Sequence, residues 1–184
     1  MKNLNKAVKI ISKVFEIAHW VFAGIMIIMA IFSGKIAAYL SSLINSNALG
    51  KEAEVSVYGF EVGLLNSAGE VSTKNLMLFA IGAVIIYALV AMIFRNIYLI
   101  IKKSEKETPF NKDNTRMVRE IGIFSIAIPV IGLIMSTIIR LVVGVDATEI
   151  SVSFYGFVMG IIVLCLTQFF TYGMELEKDV DGLL

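Results

Sequence analysis

Four long segments of the chain contain no Asp, Glu, Lys or Arg. They cover residues 17–34, 75–94, 121–139 and 150–174, which is 18, 20, 19 and 25 residues. An α-helix needs roughly 20 apolar residues to cross a hydrocarbon core about 30 Å thick. Only helices and closed barrels satisfy their backbone groups in lipid, and these segments lack the strict alternation of barrel strands. The pattern predicts an all-α integral membrane protein with four transmembrane helices.

The helices are expected at about 14–43, 75–101, 115–143 and 153–176, in a single transmembrane domain that spans residues 1–184. They leave an outer loop at 44–74, a basic inner loop at 102–114 and an acidic tail at 175–184. Residues 1–13 form a basic amphipathic run, expected to lie at the membrane interface. Apolar residues continue past position 34, so the first segment is not a cleaved signal peptide.

The composition agrees with a membrane protein. Hydrophobic residues make up 58% of the chain and charged residues 17%, with a mean hydropathy of +0.83, which excludes an ordinary soluble domain. The single cysteine, Cys165, excludes an internal disulfide and is expected to be a packing residue.

The orientation follows from the basic residues. Of the 16 Lys and Arg residues, 12 fall in the N-terminal segment, the segment between the second and third helices, and the tail. The positive-inside rule then predicts that both termini are cytoplasmic. The expected location is the bacterial cytoplasmic (inner) membrane, with the lipid bilayer as the first partner.

The inner loop contains a break in the chain followed by a helix start. Thr108, Pro109 and Phe110 are expected to form a rigid cytoplasmic turn, because proline stops a helix. Asp113 or Asn114 is expected to cap the third helix, which would begin near residue 115.

The two outer loops share a short repeat. "VSVYGF" at 55–60 and "VSFYGF" at 152–157 agree in five of six letters. A two-helix duplication and chance both explain this agreement. Both segments suit short β-strands, so residues 55–62 and 150–155 are expected to lie together and pair outside the membrane.

Small residues recur at four-residue spacing in the first and fourth helices, where they let another helix approach closely. The expected helix-packing residues are Ala30, Gly34, Ala38, Gly156 and Gly160. The spacing does not identify the helix they pack against, and a homo-oligomer remains open.

Catalytic and metal-binding patterns are not found. His19 is the only histidine, and one histidine with one cysteine makes a poor metal site. No acidic residue lies within the four apolar segments, where a proton relay or a cation pathway would need one. We expect neither an enzyme nor a bound cofactor.

The acidic tail is the strongest candidate for a functional surface. Its apolar and acidic residues alternate at helical spacing and would form a docking surface from Glu175, Leu176, Glu177, Asp179, Val180, Asp181 and Leu183. The tail either neutralises the basic inner loop or docks a soluble partner with a basic surface. Because it repels phosphates, no direct nucleic-acid binding is expected.

Three stretches resemble a known family. They are "TPFNKDNTRMVREIG", "SFYGF" and "FTYGMELEKDVDGLL", and the last contains an F-x-x-G-x-x-L-x-x-D pattern at Phe170, Gly173, Leu176 and Asp179. Together they resemble the bacterial membrane proteins called "domain of unknown function 2975". The resemblance implies four membrane helices and a neighbouring small helix-turn-helix regulator. It implies no catalytic activity.

The expected function is therefore a membrane-bound regulatory partner that binds or sequesters a cytoplasmic helix-turn-helix transcription regulator. The alternative is a small subunit of a membrane complex, or an export or bacteriocin-immunity protein, that acts through helix packing.

Overall fold

The computed structural model describes residues 2–45, 53–105, 108–144, 147–148 and 154–181. Side chains are described for all of these except residues 2, 45, 180 and 181. The chain is mostly helical. Its elements are α1 (Lys2–Ile31), α2 (Ser33–Asn45), β1 (Glu54–Val57), β2 (Phe60–Gly63), α3 (Thr73–Ser104), α4 (Lys112–Val142) and α5 (Phe154–Asp181).

Four helices within the described residues, α1, α3, α4 and α5, are long and apolar enough to cross a membrane. This confirms the all-α class and its four candidate spanning helices, and it indicates a multi-pass membrane protein. The side of the membrane on which each end lies stays a prediction.

The first apolar segment forms two helices, where a single helix over 14–43 was expected. α1 begins at Lys2, so the basic run precedes the apolar segment as part of the same helix. The chain leaves regular helix at Phe32, although Phe32 N–H still donates to the Ile28 carbonyl at 3.0 Å and Ile36 N–H to the Phe32 carbonyl at 3.0 Å. The break is therefore a local irregularity between two nearly continuous helices.

The expected small-residue stripe in this segment does not face the rest of the protein. Gly34 and Ala38 are exposed and Ala30 is half-buried, whereas Ser33 and Ala37 are buried. A methyl group added at Gly34 would come no closer than 4.0 Å to Thr73 Cγ2. The face of α2 that packs on this chain thus lies one residue before the small-residue stripe, and packing of the stripe against another chain stays a prediction. Cys165, expected to be a packing residue, is exposed on α5.

The first loop forms a β-hairpin by itself. β1 and β2 pair antiparallel with Val57 opposite Phe60, so Tyr58 and Gly59 are the two turn residues. Both have positive φ angles, 49° and 84°, as a type I′ turn requires. A left-handed conformation costs a tyrosine roughly 1–2 kcal/mol. The Tyr58 ring meets the Tyr87 ring edge-on, with centroids 6.4 Å apart, which helps to hold this turn.

The second copy of the repeat adopts a different structure. Residues 150–153 lie outside the described residues, while Tyr155, Gly156 and Phe157 form part of the first turns of α5. β1 takes β2 as its strand partner, and positions 154–155 are helical. Positions 154–155 of the predicted pairing are therefore helical and not a strand, and the pairing of residues 150–153 falls outside the described residues.

The Cα positions divide the chain into two compact units, with α1, α3 and α4 each contributing to both. The first unit comprises Met1–Trp20, Leu89–Ala127 and Phe154–Leu184, and the second comprises Val21–Ala88 and Ile128–Ser153. The single domain over 1–184 stays a prediction.

The second unit is built around the hairpin. Phe60 is 1% exposed and stacks on Phe79 with ring centroids 5.6 Å apart. A methyl group at Gly82 would lie 2.7 Å from Phe60 Cε1, so α3 needs a glycine where this ring packs. Asn75 is 1% exposed and donates through Nδ2 to the Gly63 carbonyl at 2.8 Å, which joins β2 to the start of α3.

Candidate functional site

The start of α4 is fixed by Asn111, a residue outside the predicted pair of caps. Asn111 Oδ1 accepts a hydrogen bond from Asn114 N–H at 2.8 Å, and its carbonyl accepts one from Thr115 N–H at 3.0 Å. These are the bonds of an N-cap residue. The predicted caps, Asp113 and Asn114, are therefore wrong, and the helix starts at Lys112 and not near residue 115.

Asp113 and Asn114 instead bind the end of α3 and the turn. Asp113 forms an ion pair with Lys103 of α3. Asn114 is fully buried and donates through Nδ2 to the Pro109 carbonyl at 3.1 Å and to Ser104 Oγ at 3.2 Å. The first turn of α4 thus caps the helix and also fastens it to α3.

Thr108, Pro109, Phe110 and Asn111 are called the α3–α4 turn below, and this turn packs on α5. Thr108 Oγ1 donates to Glu177 Oε2 at 2.9 Å, and the Phe110 ring lies 5.6 Å from the Phe170 ring. A methyl group at Gly173 would lie 2.7 Å from Phe110 Cδ1, so only a glycine lets the ring approach so closely. One face of α5 therefore receives the turn.

α5 continues as helix to Asp181, five residues beyond its expected end. Residues 175–181 are called the α5 extension. Glu175, Leu176 and Asp179 are exposed, Leu176 by 49%, while Glu177 is half-buried against the turn. Val180 and Asp181 belong to the helix, but their side chains lie outside the description, as does Leu183. The predicted docking stripe is thus described at its first residues only.

Between the described residues of the basic loop and the acidic tail, the polar contact is the hydrogen bond from Thr108 to Glu177. Among the described residues the ion pairs of the first unit are Lys9–Glu105, Lys13–Glu16, Lys103–Asp113 and Arg116–Glu120. None of these pairs includes an acid of the α5 extension. Charge neutralisation of the basic loop by the tail therefore gains no support from the described ion pairs.

Two clefts flank the packed turn. The first holds about 270 Å³ and is lined by Lys112, Asp113, Thr115, Arg116, Arg119, Thr167, Thr171 and Met174. The second holds about 580 Å³ and is lined by Thr108, Phe110, Asn111, Lys112, Met174, Glu177 and Lys178. The first cleft is mainly basic, and the second includes the start of the acidic extension.

α4 and α5 approach each other through two glycines. A methyl group at Gly160 would lie 2.8 Å from the Gly122 carbonyl oxygen, and one at Gly122 would lie 2.8 Å from Leu164 Cγ. The geometry agrees with the packing role predicted for Gly160. Its partner Gly122 was missed, because it is an isolated glycine in α4 without a second small residue four positions away. Gly156 is half-buried at the start of α5.

Within the described ranges no group of three or more His, Cys, Asp or Glu side chains is placed to hold a metal ion. Comparison with protein-family models, with curated proteins and with solved structures finds no match for this chain. The resemblance to the family of unknown function stays an expectation. What the geometry itself offers is a packed turn, two clefts and an exposed acidic helix end.

Proposed function

We propose that this multi-pass membrane protein docks a cytoplasmic protein with a basic surface through the α5 extension. The observation that supports this proposal is the bracing of the extension. Glu177 accepts a hydrogen bond from Thr108 while Glu175, Leu176 and Asp179 remain exposed. A helix end held in place loses little conformational freedom when a partner binds, which favours affinity.

The chemistry of the exposed face defines the partner. Acids around an apolar side chain complement a partner that has basic residues around an apolar pocket, and they repel nucleic acid. A helix-turn-helix regulator has the basic surface that this face would cover. We propose such a regulator as the partner, which the membrane protein would hold away from its operator.

The proposal requires that the extension faces the cytoplasm, as the distribution of basic residues predicts. Single cysteines at Asn66 and Lys112, in a Cys165→Ser background, test this orientation with a membrane-impermeant thiol reagent. We expect labelling of position 66 in intact cells, and of position 112 only after the cells are opened. Labelling of position 112 from outside would contradict the proposed orientation.

Binding is tested by the distribution of the cell's helix-turn-helix regulators between the membrane and soluble fractions. Quantitative mass spectrometry should find one such regulator with the membranes that contain the wild-type protein. Glu175→Gln with Asp179→Asn should release it and change transcription from its operator. The double variant should fold normally, because both side chains are exposed.

Glu54→Gln with Glu70→Gln is the matched control, since it removes two exposed acids from the first loop of the protein. The control should leave the regulator on the membrane. A regulator that never associates with the membrane, or that both double variants release equally, would contradict the proposal.

The alternative is a subunit of a larger membrane complex, or an export or immunity protein, and the exposure of α5 favours it. In the most apolar stretch of α5 only 6% of the residues are buried within the protein, compared with 44% in that of α3. A helix that packs so little on its own chain leaves an exposed surface that another subunit could contact. Crosslinks from Phe154 or Val158, both exposed, to a second polypeptide would support this alternative.

A further inference from the structure

The cleft between the start of α4 and α5 is lined mainly by basic side chains, and it is separate from the exposed acids of the α5 extension. Lys112, Arg116 and Arg119 line it, with Asp113 as the single acid. Because Asp113 is paired with Lys103, its charge is already compensated from outside the cleft. The cleft therefore has a net excess of positive charge.

The three basic side chains are not equally available. Arg116 Nε lies 3.5 Å from Glu120 Oε1, so part of its charge is shared. Lys112 and Arg119 are exposed and form no ion pair among the described residues. Two unshared cations beside one shared guanidinium suit a phosphate, which takes several charge-assisted hydrogen bonds at once.

The opposite wall supplies hydrogen-bond acceptors. Thr167 Oγ1 donates to the Val163 carbonyl at 3.1 Å, and Thr171 Oγ1 donates to the Thr167 carbonyl at 3.0 Å. Each hydroxyl proton is used within α5, so the oxygen lone pairs are left to face the cleft. A ligand here would combine a phosphate with hydroxyl donors.

The position of the cleft relative to the apolar segments points to a lipid. Arg119 comes two residues before the charge-free segment of α4, and Thr167, Thr171 and Met174 belong to the last two turns of the charge-free segment of α5. The cleft thus lies where charged sequence meets membrane-spanning sequence on both helices, at the depth of lipid headgroups.

An apolar side chain continues from the cleft along α4. Ile123 lies one helical turn after Arg119 on the same face and is 48% exposed. An acyl chain attached to a headgroup in the cleft would cover this side chain. A soluble phosphate compound would leave it uncovered, and basic pockets between membrane helices are known headgroup sites.

We infer that this cleft binds the headgroup of an anionic phospholipid with a hydroxylated headgroup, such as phosphatidylglycerol. Lys112, Arg116 and Arg119 bind the phosphate, and Thr167 and Thr171 accept hydrogen bonds from the headgroup hydroxyls. A cleft of about 270 Å³ holds a headgroup and leaves the acyl chains outside. This inference does not depend on the proposed regulator.

The test titrates short-chain lipids into the purified full-length protein in a neutral detergent, with bound lipid counted by native mass spectrometry. Dioctanoyl phosphatidylglycerol should bind more tightly than dioctanoyl phosphatidylcholine. Lys112→Gln with Arg119→Gln should weaken phosphatidylglycerol binding about tenfold or more, because two charge-assisted contacts are lost. If that variant unfolds, the single variant Arg116→Gln, which keeps both unshared cations, should still show a weakening.

The control variant is Arg95→Gln with Lys102→Gln, which removes two exposed basic residues of α3 that do not line the cleft. It should leave the affinity nearly unchanged, because neither side chain lines the cleft and the detergent is neutral. An equal loss in the control and cleft variants would show general attraction to anionic lipid and would overturn the site.

Two further comparisons identify the ligand. Thr167→Val with Thr171→Val should weaken phosphatidylglycerol binding and leave binding of dioctanoyl phosphatidic acid unchanged, because the latter lacks headgroup hydroxyls. Glycerol 3-phosphate and inorganic phosphate should each fail to protect the protein from thermal unfolding. Protection by either compound at concentrations similar to those of the lipid would overturn the lipid assignment.

Discussion

The two units of the protein differ in how many hydrophobic side chains they bury. Nearly all the buried hydrophobic residues among those described lie in the second unit, and the first contributes only Val90, Ala91, Met117 and Val118. The buried polar residues are divided more evenly, with Ser12, Glu16, His19, Asn96 and Asn114 in the first unit and Ser33, Asn75, Ser136 and Thr148 in the second. The second unit therefore has a hydrophobic core around the hairpin, whereas polar side chains make up a larger share of what the first unit buries.

Because of this difference, substitutions in the two units should have different effects: loss of stability in the second unit, and displacement of the site residues in the first. Apolar packing in the second unit depends on volume, so losing a ring leaves a cavity. Polar contacts in the first unit depend on geometry. Asn96 Nδ2, for example, donates to Glu120 Oε2 at 3.0 Å and links α3 to α4. Substitutions in the first unit should therefore move or loosen the site more than they unfold the protein.

The largest loss is expected for Phe60→Ala in the second unit. Phe60 is 1% exposed and stacks on Phe79, so its removal should cost about 3–5 kcal/mol. Thermal or denaturant unfolding in detergent measures this loss. Phe169→Ala, at a position 69% exposed, is the control and should be nearly neutral. Similar losses in the two variants would refute a core centred on the hairpin.

The next effect is expected at the glycine contact of the first unit. In Gly160→Ala the added methyl group would lie 2.8 Å from the Gly122 carbonyl, a backbone atom that cannot rotate away. We expect a destabilisation of about 1–3 kcal/mol, the usual cost of overpacking. Gly24→Ala in α1 meets nothing within 4 Å, so it should leave stability unchanged or raise it slightly. If both variants behave alike, α4 and α5 do not pack at this point.

Local sequence patterns predicted the helices well and the contacts poorly. Charge-free length is a property of a segment by itself, so the four spanning helices were predictable. The packing face of α2 was not, because Ser33 and Ala37 are small residues at the same four-residue spacing as Gly34 and Ala38, and the spacing alone does not distinguish the two faces. The strand partner of β1 was missed because "YGF" suits both a hairpin turn and a helix start.

The site was partly predictable for the same reason. The pattern of Phe170 and Gly173 identified residues that matter, and the structure shows Phe110 packed against both. Their spacing alone did not reveal this contact, which joins positions about 60 residues apart. The cap was missed because Asn111, Asp113 and Asn114 all suit the position, and only the backbone path distinguishes them.

A smaller effect follows from the correction of the cap. Asn111→Ala should destabilise the protein by about 1 kcal/mol, because Asn114 N–H loses its acceptor at the helix start. Asp113→Ala should cost less, since it removes only an exposed ion pair with Lys103. Chemical denaturation of the two variants in parallel gives this order. If Asp113→Ala is the more destabilising variant, Asp113 and not Asn111 is the N-cap residue of α4.

The smallest effect on stability, and the most local one, is expected for Thr108→Val. The hydrogen bond of Thr108 to Glu177 is exposed, so its loss should lower the free energy of unfolding by less than about 1 kcal/mol. The α5 extension, however, loses a contact that braces it to the turn. Hydrogen exchange should therefore accelerate at the amides of residues 174–181 and remain unchanged in α3. Ser42→Ala, which removes an exposed hydroxyl that donates to the Tyr39 carbonyl, is the control and should change neither region. Equal acceleration in α3 and α5 would mean that the turn supports the whole first unit, and that its contact with Glu177 does not specifically position the helix end.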